Sequence, residues 1–447
     1  MVVGGGISGL TAAFRLQQAG RRVVLLEAAE RVGGTFETLH HEGWCCEQGP
    51  NTLLESDPAV ASLLRDTGLA TERLAADPTA RRRYLWLDGG LVAVPGHPLG
   101  LLRSSVLSRA AKFRLLREPW APTPPDIGEP DESVADFVRR RLGSEILERV
   151  VEPFLSGIYA GDPERLAVRW ALPKVFRLER DQGSLVKGLM AARSGGAGSR
   201  HPISFAGGLE ALTERLAERL GDAVRRRHRV LTIERRASGF RVRGEADGCA
   251  FAIAAEHVLL ALPASPTADL LEPIPGADAA ALREIPHSSV AVISFGFARR
   301  HVDHALDGFG FLAPRNGDLR ILGCLFPSSV FPHRAPTGHV ALSCFIGGRT
   351  DPAAVELSDS ELLERSAADL DRVLGIGAAP AFSRVRRWRP GIPQYELGHQ
   401  RFLQVADGVE RDVPNLHLLG NWRSGVSIAD CIRTAAERAE GIRAGAD

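Results

Sequence analysis

The sequence predicts an α/β protein built on a doubly wound parallel sheet that is discontinuous along the chain, with an α+β domain and a mainly helical domain inserted into it. Three observations carry that prediction. Val2-Val3 runs into Gly4-Gly5-Gly6-Ile7-Ser8-Gly9, and apolar residues at helical spacing follow from Leu10 to Gln18. Arg22-Val23-Val24-Leu25-Leu26 has the continuous apolar character of a buried parallel strand and ends in Glu27, 23 residues beyond Gly4. The chain has 447 residues, more than one hydrophobic core usually organises.

The first of these elements is a strand, a glycine turn and a helix, the arrangement that holds a dinucleotide. Gly4 allows the tight turn, Gly6 lets backbone approach a pyrophosphate, and Gly9 lets the helix pack closely on the strand. The N-terminus of that helix, with Ile7 and Ser8 in its first turn, presents free N–H groups and a positive dipole end to phosphate. Glu27 suits ribose hydroxyls and would repel a ribose phosphate, which argues against NADP. Two residues before Gly4 make a short strand, which points to a start upstream.

Composition is that of a packed globular protein, 44% apolar and 24% charged. The net charge of +1 gives no field for nucleic acid, and no nucleic-acid partner is expected. Six cysteines without C-x-x-C spacing read as reduced thiols, so a cytoplasmic location is expected. No signal peptide fits the start, and no apolar stretch is long enough to span a bilayer.

After Glu27 the chain continues Ala28-Ala29-Glu30-Arg31-Val32-Gly33-Gly34. Here it resembles the FAD-binding signature of the amine oxidase, phytoene desaturase and protoporphyrinogen oxidase superfamily. The resemblance implies FAD as cofactor, with Arg31 at its second phosphate and Gly33 and Gly34 making room beside the ribityl chain. An exposed arginine before a plain loop is the alternative.

Four further stretches narrow the resemblance to protoporphyrinogen oxidases and their coproporphyrinogen-oxidising relatives. They are Glu47-Gln48-Gly49-Pro50-Asn51, Gly157-Ile158-Tyr159-Ala160-Gly161-Asp162-Pro163, Gly391-Ile392-Pro393-Gln394-Tyr395-Glu396-Leu397-Gly398-His399, and residues 425–432. In order and spacing they cover nearly the whole chain. The resemblance implies cofactor contacts at Gly49, Pro50, Asn51, Val230, Trp388, Asn421, Val426, Ser427 and Ile428, with Val230 reaching adenine through its backbone. Asn421, where relatives often carry Asp, still hydrogen-bonds a phosphate or ribityl hydroxyl without charge. The helix that begins near Val426 points its N-terminus at the pyrimidine end of the flavin.

On the substrate side the family places an arginine at a propionate, and Arg83 in Arg82-Arg83-Tyr84-Leu85-Trp86 matches it; Arg81 and Arg82 stand as alternatives. Phe309, Phe345 and Ile346 are expected as apolar walls for a tetrapyrrole, or else as plain core strands. No convincing acid–base dyad is found, which suits hydride chemistry in which the protein mainly positions donor and acceptor. Backbone carbonyls near Gly157 and Gly161 are the catalytic candidates, placed to stabilise positive charge on a pyrrole.

The expected domains are 1–78, 202–268 and 386–447 for FAD, 79–91 and 269–385 for substrate, and a helical domain over 92–201. Ser133 and Ser144 are expected N-caps, and Gly195-Gly196-Ala197-Gly198-Ser199 a flexible connection. Leu99, Leu102, Val106, Ala110 and Phe113 recur at helical spacing, with Arg103, Arg109, Lys112, Arg114 and Arg117 as a basic face. This is a candidate for peripheral contact with the cytoplasmic face of a membrane; a helix packed on its own protein is the alternative. Dioxygen is the expected electron acceptor, protoporphyrinogen IX the expected substrate with coproporphyrinogen III as runner-up, and a homodimer is compatible with the sequence. A flavin amine oxidase and a flavin-binding scaffold are the more distant readings.

Overall fold

The computed structural model describes residues 1–55, 57–96, 98–122, 131–193, 202–315 and 317–444. At its centre lies a five-stranded, all-parallel sheet assembled from distant segments, in the order Val224–Arg225, Leu25–Leu26, Val2–Val3, Val258–Leu260 and Leu416–Leu418. The short first strand is in the middle, paired on both sides, so its backbone is satisfied despite its length.

Side chains alternate across this sheet and are buried on both faces. Val2, Leu25 and Leu259 face one core, shared with helices Ile7–Gln18, Glu210–Leu220 and Ile428–Ala444. Val3, Leu26, Val258 and Leu260 face the other, shared with helices Ala264–Leu271 and Gln400–Asp412. Residues 229–233 lie in strand His228–Arg236 of a separate antiparallel sheet with Gly239–Ala246 and Cys249–Ala255.

A second, mixed sheet has seven strands, in the order Phe382–Pro393, His287–Ala298, His339–Gly347, Gly323–Leu325, Gly308–Leu312, Arg82–Leu87 and Gly90–Val94. One face is sealed by helix Asp359–Leu374, whose Leu362, Leu370 and Leu374 pack on Ile293, Cys344 and Ile346. Because Phe382–Pro393 pairs with His287–Ala298, residues 386–393 belong to this sheet and not, as expected, with the parallel-sheet segments. The last nucleotide-side segment therefore starts after Pro393.

Helices between Arg109 and Arg193 form the third body. Ser133 caps Val134–Arg141 by accepting from Asp136 N–H at 3.0 Å. Ser144 does not cap: it is already inside its short helix, and Gly143, at φ +97°, holds the cap position. The apolar stripe from Leu99 to Phe113 is not one helix. Residues 102–107 turn, and Ser108 restarts a helix over Arg109–Arg117 by accepting from Ala111 N–H at 3.2 Å. In that helix Ala111 is buried, while Ala110 and Phe113 face outward. The glycine-rich connection at 195–199 lies outside the described residues.

Candidate cofactor and substrate site

The glycine turn shows why each glycine is needed. A Cβ on Gly4, at φ +103°, would lie 2.5 Å from the carbonyl oxygen of Ala261, and one on Gly9 would lie 2.0 Å from that of Gly4. Helix Ile7–Gln18 is thus locked against the turn. Gly6 differs: nothing approaches its Cβ position within 4 Å, and the helix behind it receives no side-chain cap. The result is an open gap facing the first-turn N–H groups, those of Ser8 and Gly9 among them, where an anion is stabilised.

Glu27 forms one wall of that gap. Its carboxylate accepts from the N–H groups of Gly5 and Ala29, both at 2.7 Å, which fixes it at the end of its strand. Gly33 donates to the Gly5 carbonyl at 2.8 Å, and Gly34, at φ +60°, would bring a Cβ 3.5 Å from the Gly6 Cα. Both loop glycines, at φ +105° and +60°, hold conformations that side chains disfavour, so the loop lies directly over the turn. Val230 packs against the core on the far face of the parallel sheet, beside a bulge between Val230 and Thr232.

Arg31, expected at a phosphate, already makes contacts within its own loop. Its guanidinium donates to the carbonyls of Val32, Gly34 and Phe36 at 3.1, 2.7 and 2.7 Å, and pairs with Glu37 and Glu210 at 3.1 and 3.3 Å. It holds the loop that carries Gly33 and Gly34.

Two more segments reach the turn. A Cβ on Gly49 would lie 2.0 Å from the Thr35 carbonyl, which seats Gly49-Pro50-Asn51 against the same loop. Asn51 donates to the Gly49 carbonyl at 3.0 Å, while its Oδ1 is buried without a partner. Trp388 donates its indole N–H to the carbonyl of Gln48 at 2.6 Å, which joins the seven-stranded sheet to this segment. From the C-terminal side, Ser427 caps helix Ile428–Ala444 by accepting from Asp430 N–H at 3.1 Å, and Val426 packs on the helical body. Tyr395, a buried residue that sequence reasoning did not single out, donates to the carbonyl of Asn421 and accepts from Gly425 N–H at 2.8 Å. It sets the turn that leads into the last helix.

An open gap at Gly6, an uncapped helix end, a fixed carboxylate and a buried unpaired Asn51 oxygen fit the phosphates and ribose of a dinucleotide.

On the substrate side, strand alternation sorts the candidates. Arg83, Leu85, Leu312 and Phe345 share the face of the seven-stranded sheet opposite helix Asp359–Leu374. Ile346, expected on that face, points the other way and is fully buried in the core beneath the helix, because neighbours along a strand point to opposite sides. Phe345 stays half-buried. The Arg83 guanidinium lies 5.7 Å from the Phe309 ring centroid, so these two candidates meet. Arg82 is tied to Asp307. Arg83 has no carboxylate partner among the described residues.

Gly157 belongs to helix Glu152–Tyr159, which crosses this face, and a Cβ there would meet Leu312 at 2.9 Å. Gly161 is buried, and its Cβ would meet Gln394 Oε1 at 2.6 Å. Two of the carbonyls between them accept hydrogen bonds: Tyr159 from Gln394 at 2.8 Å and Ala160 from Arg349 N–H at 2.7 Å.

Outside both of these sheets lies a buried cluster that joins strand Trp44–Glu47, strand Pro202–Phe205 and the short helix Pro332–Arg334. Arg334 donates to Glu47 at 2.7 Å, to Ser204 at 2.5 Å and to the Cys45 sulfur at 2.8 Å. Glu47 also accepts from Thr38 and from Leu209 N–H, at 2.7 and 2.8 Å. Burial pushes the Glu47 carboxyl up in pKa, against the opposing pull of Arg334. In sequence, nothing separates Arg334 from the many surface arginines.

This geometry agrees with comparison to known proteins. The model of the flavin containing amine oxidoreductase family matches residues 7–443. The chain belongs to that family. Protoporphyrinogen oxidase 1 of Arabidopsis thaliana is 33% identical over 98% of the chain and 87% of its own length. Coproporphyrinogen III oxidase of Bacillus subtilis is 29% identical over 97% and 95%. A solved structure from Exiguobacterium, described as a protoporphyrinogen oxidase candidate, superimposes with a TM-score of 0.84 at 29% identity, covering 99% of this chain and 98% of that one. As a member of that family the chain is a flavin-containing oxidoreductase.

Proposed function

We propose that this family member oxidises protoporphyrinogen IX to protoporphyrin IX in heme biosynthesis, with FAD as its flavin and dioxygen as the terminal acceptor. The observation that carries this is the sheet face on which an unpaired Arg83 guanidinium adjoins Phe309 and shares its side with Leu312 and Phe345. An apolar ring bearing carboxylates needs that pairing of surfaces. FAD, when bound, supplies the two-electron acceptor. Gly6, Glu27 and Gly34 give it backbone approach and a ribose acceptor, and Asn51 offers its unpaired oxygen. Arg83 holds a propionate. Gly157 keeps helix Glu152–Tyr159 close to Leu312, so the ring is pressed towards the cofactor side and water is kept out.

The test is porphyrin fluorescence from FAD-loaded protein supplied with protoporphyrinogen IX and coproporphyrinogen III in parallel under oxygen, corrected for autoxidation. Faster turnover of the first supports the assignment. Faster turnover of the second moves the protein to the activity of its Bacillus subtilis relative, and turnover of neither refutes porphyrinogen oxidation.

We also propose peripheral membrane contact through helix Arg109–Arg117 and the turn after it. Phe113, Leu116 and Trp120 are 61%, 57% and 81% exposed, beside Arg109, Lys112 and Arg117. No described helix is long and apolar enough to cross a membrane. Flotation with anionic vesicles, abolished in a Phe113→Ser/Leu116→Ser/Trp120→Ser variant, is expected; equal flotation of the two proteins rejects the contact.

A further inference from the structure

The edge strand Phe382–Pro393 carries an arginine that neither the substrate face nor the glycine turn requires. Arg386 Nη2 donates to Glu37 Oε2 at 2.8 Å, and its guanidinium lies 4.4 Å from the centroid of the Trp388 ring. Both contacts lead to the same place. Glu37 also pairs with Arg31 at 3.1 Å, and Arg31 holds the carbonyls of the Gly33–Gly34 loop. Trp388 donates to the Gln48 carbonyl at 2.6 Å, and Gln48 N–H returns to the Glu37 carbonyl at 2.8 Å. Arg386, Glu37, Gln48 and Trp388 therefore close a ring that binds the substrate sheet to both cofactor-side loops.

The ring is not a close-packed core. A cavity of about 270 Å³ opens beside it, lined in part by Glu37, Gln48, Arg384 and Arg386, and Arg386 Nε is buried without a partner. An unpartnered buried N–H is costly, and an apolar side chain would fill the space without that cost. The planar guanidinium is needed because it does two things at once: one edge meets a carboxylate and its face meets an indole.

We propose that Arg386 is a positioning residue for the cofactor, acting through Glu37 and Trp388. Resting on the reading that the site holds FAD, it fixes the distance between the Gly33–Gly34 loop and the Gln48–Asn51 segment and the tilt of Trp388 between them. A cation on the indole also lowers the electron density that Trp388 presents to a neighbouring flavin.

The test is a double-mutant cycle on FAD affinity, measured by flavin fluorescence quenching with apoprotein, together with the absorption spectrum and reduction potential of the bound flavin. Arg386→Met and Glu37→Gln are each expected to raise Kd about 10-fold, and the double variant no further than the weaker single one, since each breaks the same ring. Arg386→Lys keeps the charge but not the planar fork and is expected to recover only part of the affinity. In a Trp388→Phe background, Arg386→Met is expected to leave the flavin spectrum and potential unmoved, which a merely structural role would not produce. Unfolding midpoints of the apoproteins identify any variant that fails to fold; the isosteric Glu37→Gln with Trp388→Phe then carries the test. Unchanged Kd in the single variants, or effects that multiply in the double, overturns the proposal. A wild-type protein that binds no FAD overturns the underlying reading instead.

Discussion

Two glycines three residues apart can have opposite physical roles. A methyl group on Gly9 meets a carbonyl at 2.0 Å, whereas one on Gly6 meets open space. Gly9→Ala is expected to destabilise the folded protein by about 1–3 kcal/mol, seen in urea unfolding of apoprotein. Gly6→Ala is expected to leave that unfolding curve in place and raise the Kd for FAD about 10-fold or more, because its Cβ occupies the gap rather than the core. The G-x-G-x-x-G spacing and Glu27 were legible in the sequence because backbone geometry demands them. The carbonyl contacts of Arg31 were less so, since nothing in the sequence around it shows that its loop folds back onto the guanidinium. Ile346 shows another limit: a pair of adjacent apolar residues on a strand cannot both face a ligand, and the sequence alone does not say which one does. For Arg83, which lies over Phe309 with no carboxylate partner, Arg83→Ala is expected to raise KM about 10-fold with kcat little changed, the signature of lost uniform binding in steady-state kinetics.

Among the elements, strands Val258–Leu260 and Leu416–Leu418 of the parallel sheet carry a titratable pair. His257 and His417 stack with ring centroids 5.5 Å apart and nitrogens 3.2 Å apart. Burial and then the charge of Arg438 lower the His417 pKa from 6.5 to about 4, and burial also lowers that of His257. A histidine held neutral in the fold binds fewer protons than the same residue in the unfolded chain at pH values between these two limits. Stability is therefore full above pH 6.5 and is lost as the pH falls towards 4. Unfolding free energy measured through that window is expected to fall by an amount on the order of a few kcal/mol, and His417→Asn to flatten the slope. The edge strand Phe382–Pro393 is long, and Arg384, Arg386, Arg387 and Arg389 line it. Three of these are ion-paired, Arg386 with Glu37, Arg387 with Asp359 and Arg389 with Glu356, so the charged side chains on this edge are tied to the protein's own carboxylates. The helix break at Ser108 was not legible, because the periodicity of apolar residues persisted across the turn, and only the Ser108 cap and its bonds to Glu145 at 2.6 and 2.5 Å show where the helix restarts.

Across the whole molecule, segments far apart along the chain are joined by buried polar contacts as well as by packing. Arg334 is 1% exposed and pairs with Glu47, which is 3% exposed, so Arg334→Met strands a buried carboxylate. The expected cost is about 3–5 kcal/mol in unfolding free energy, and Arg334→Met/Glu47→Leu is expected to recover much of it. Such pairs were invisible in the sequence since their partners lie far apart along the chain, as did the assignment of residues 386–393 to the substrate sheet, which only strand pairing decides. The discontinuous nucleotide domain was legible from its separate motifs. That discontinuity has a consequence for synthesis. The parallel sheet takes strands from both ends of the chain, and helix Ile7–Gln18 shares its core with helix Ile428–Ala444, whose Ile432, Ala435 and Ala439 are buried there. Until that last helix leaves the ribosome, the nascent N-terminus has neither its outermost strand nor its covering helix. The inserted domains can fold first, and the glycine turn is among the last parts to be completed.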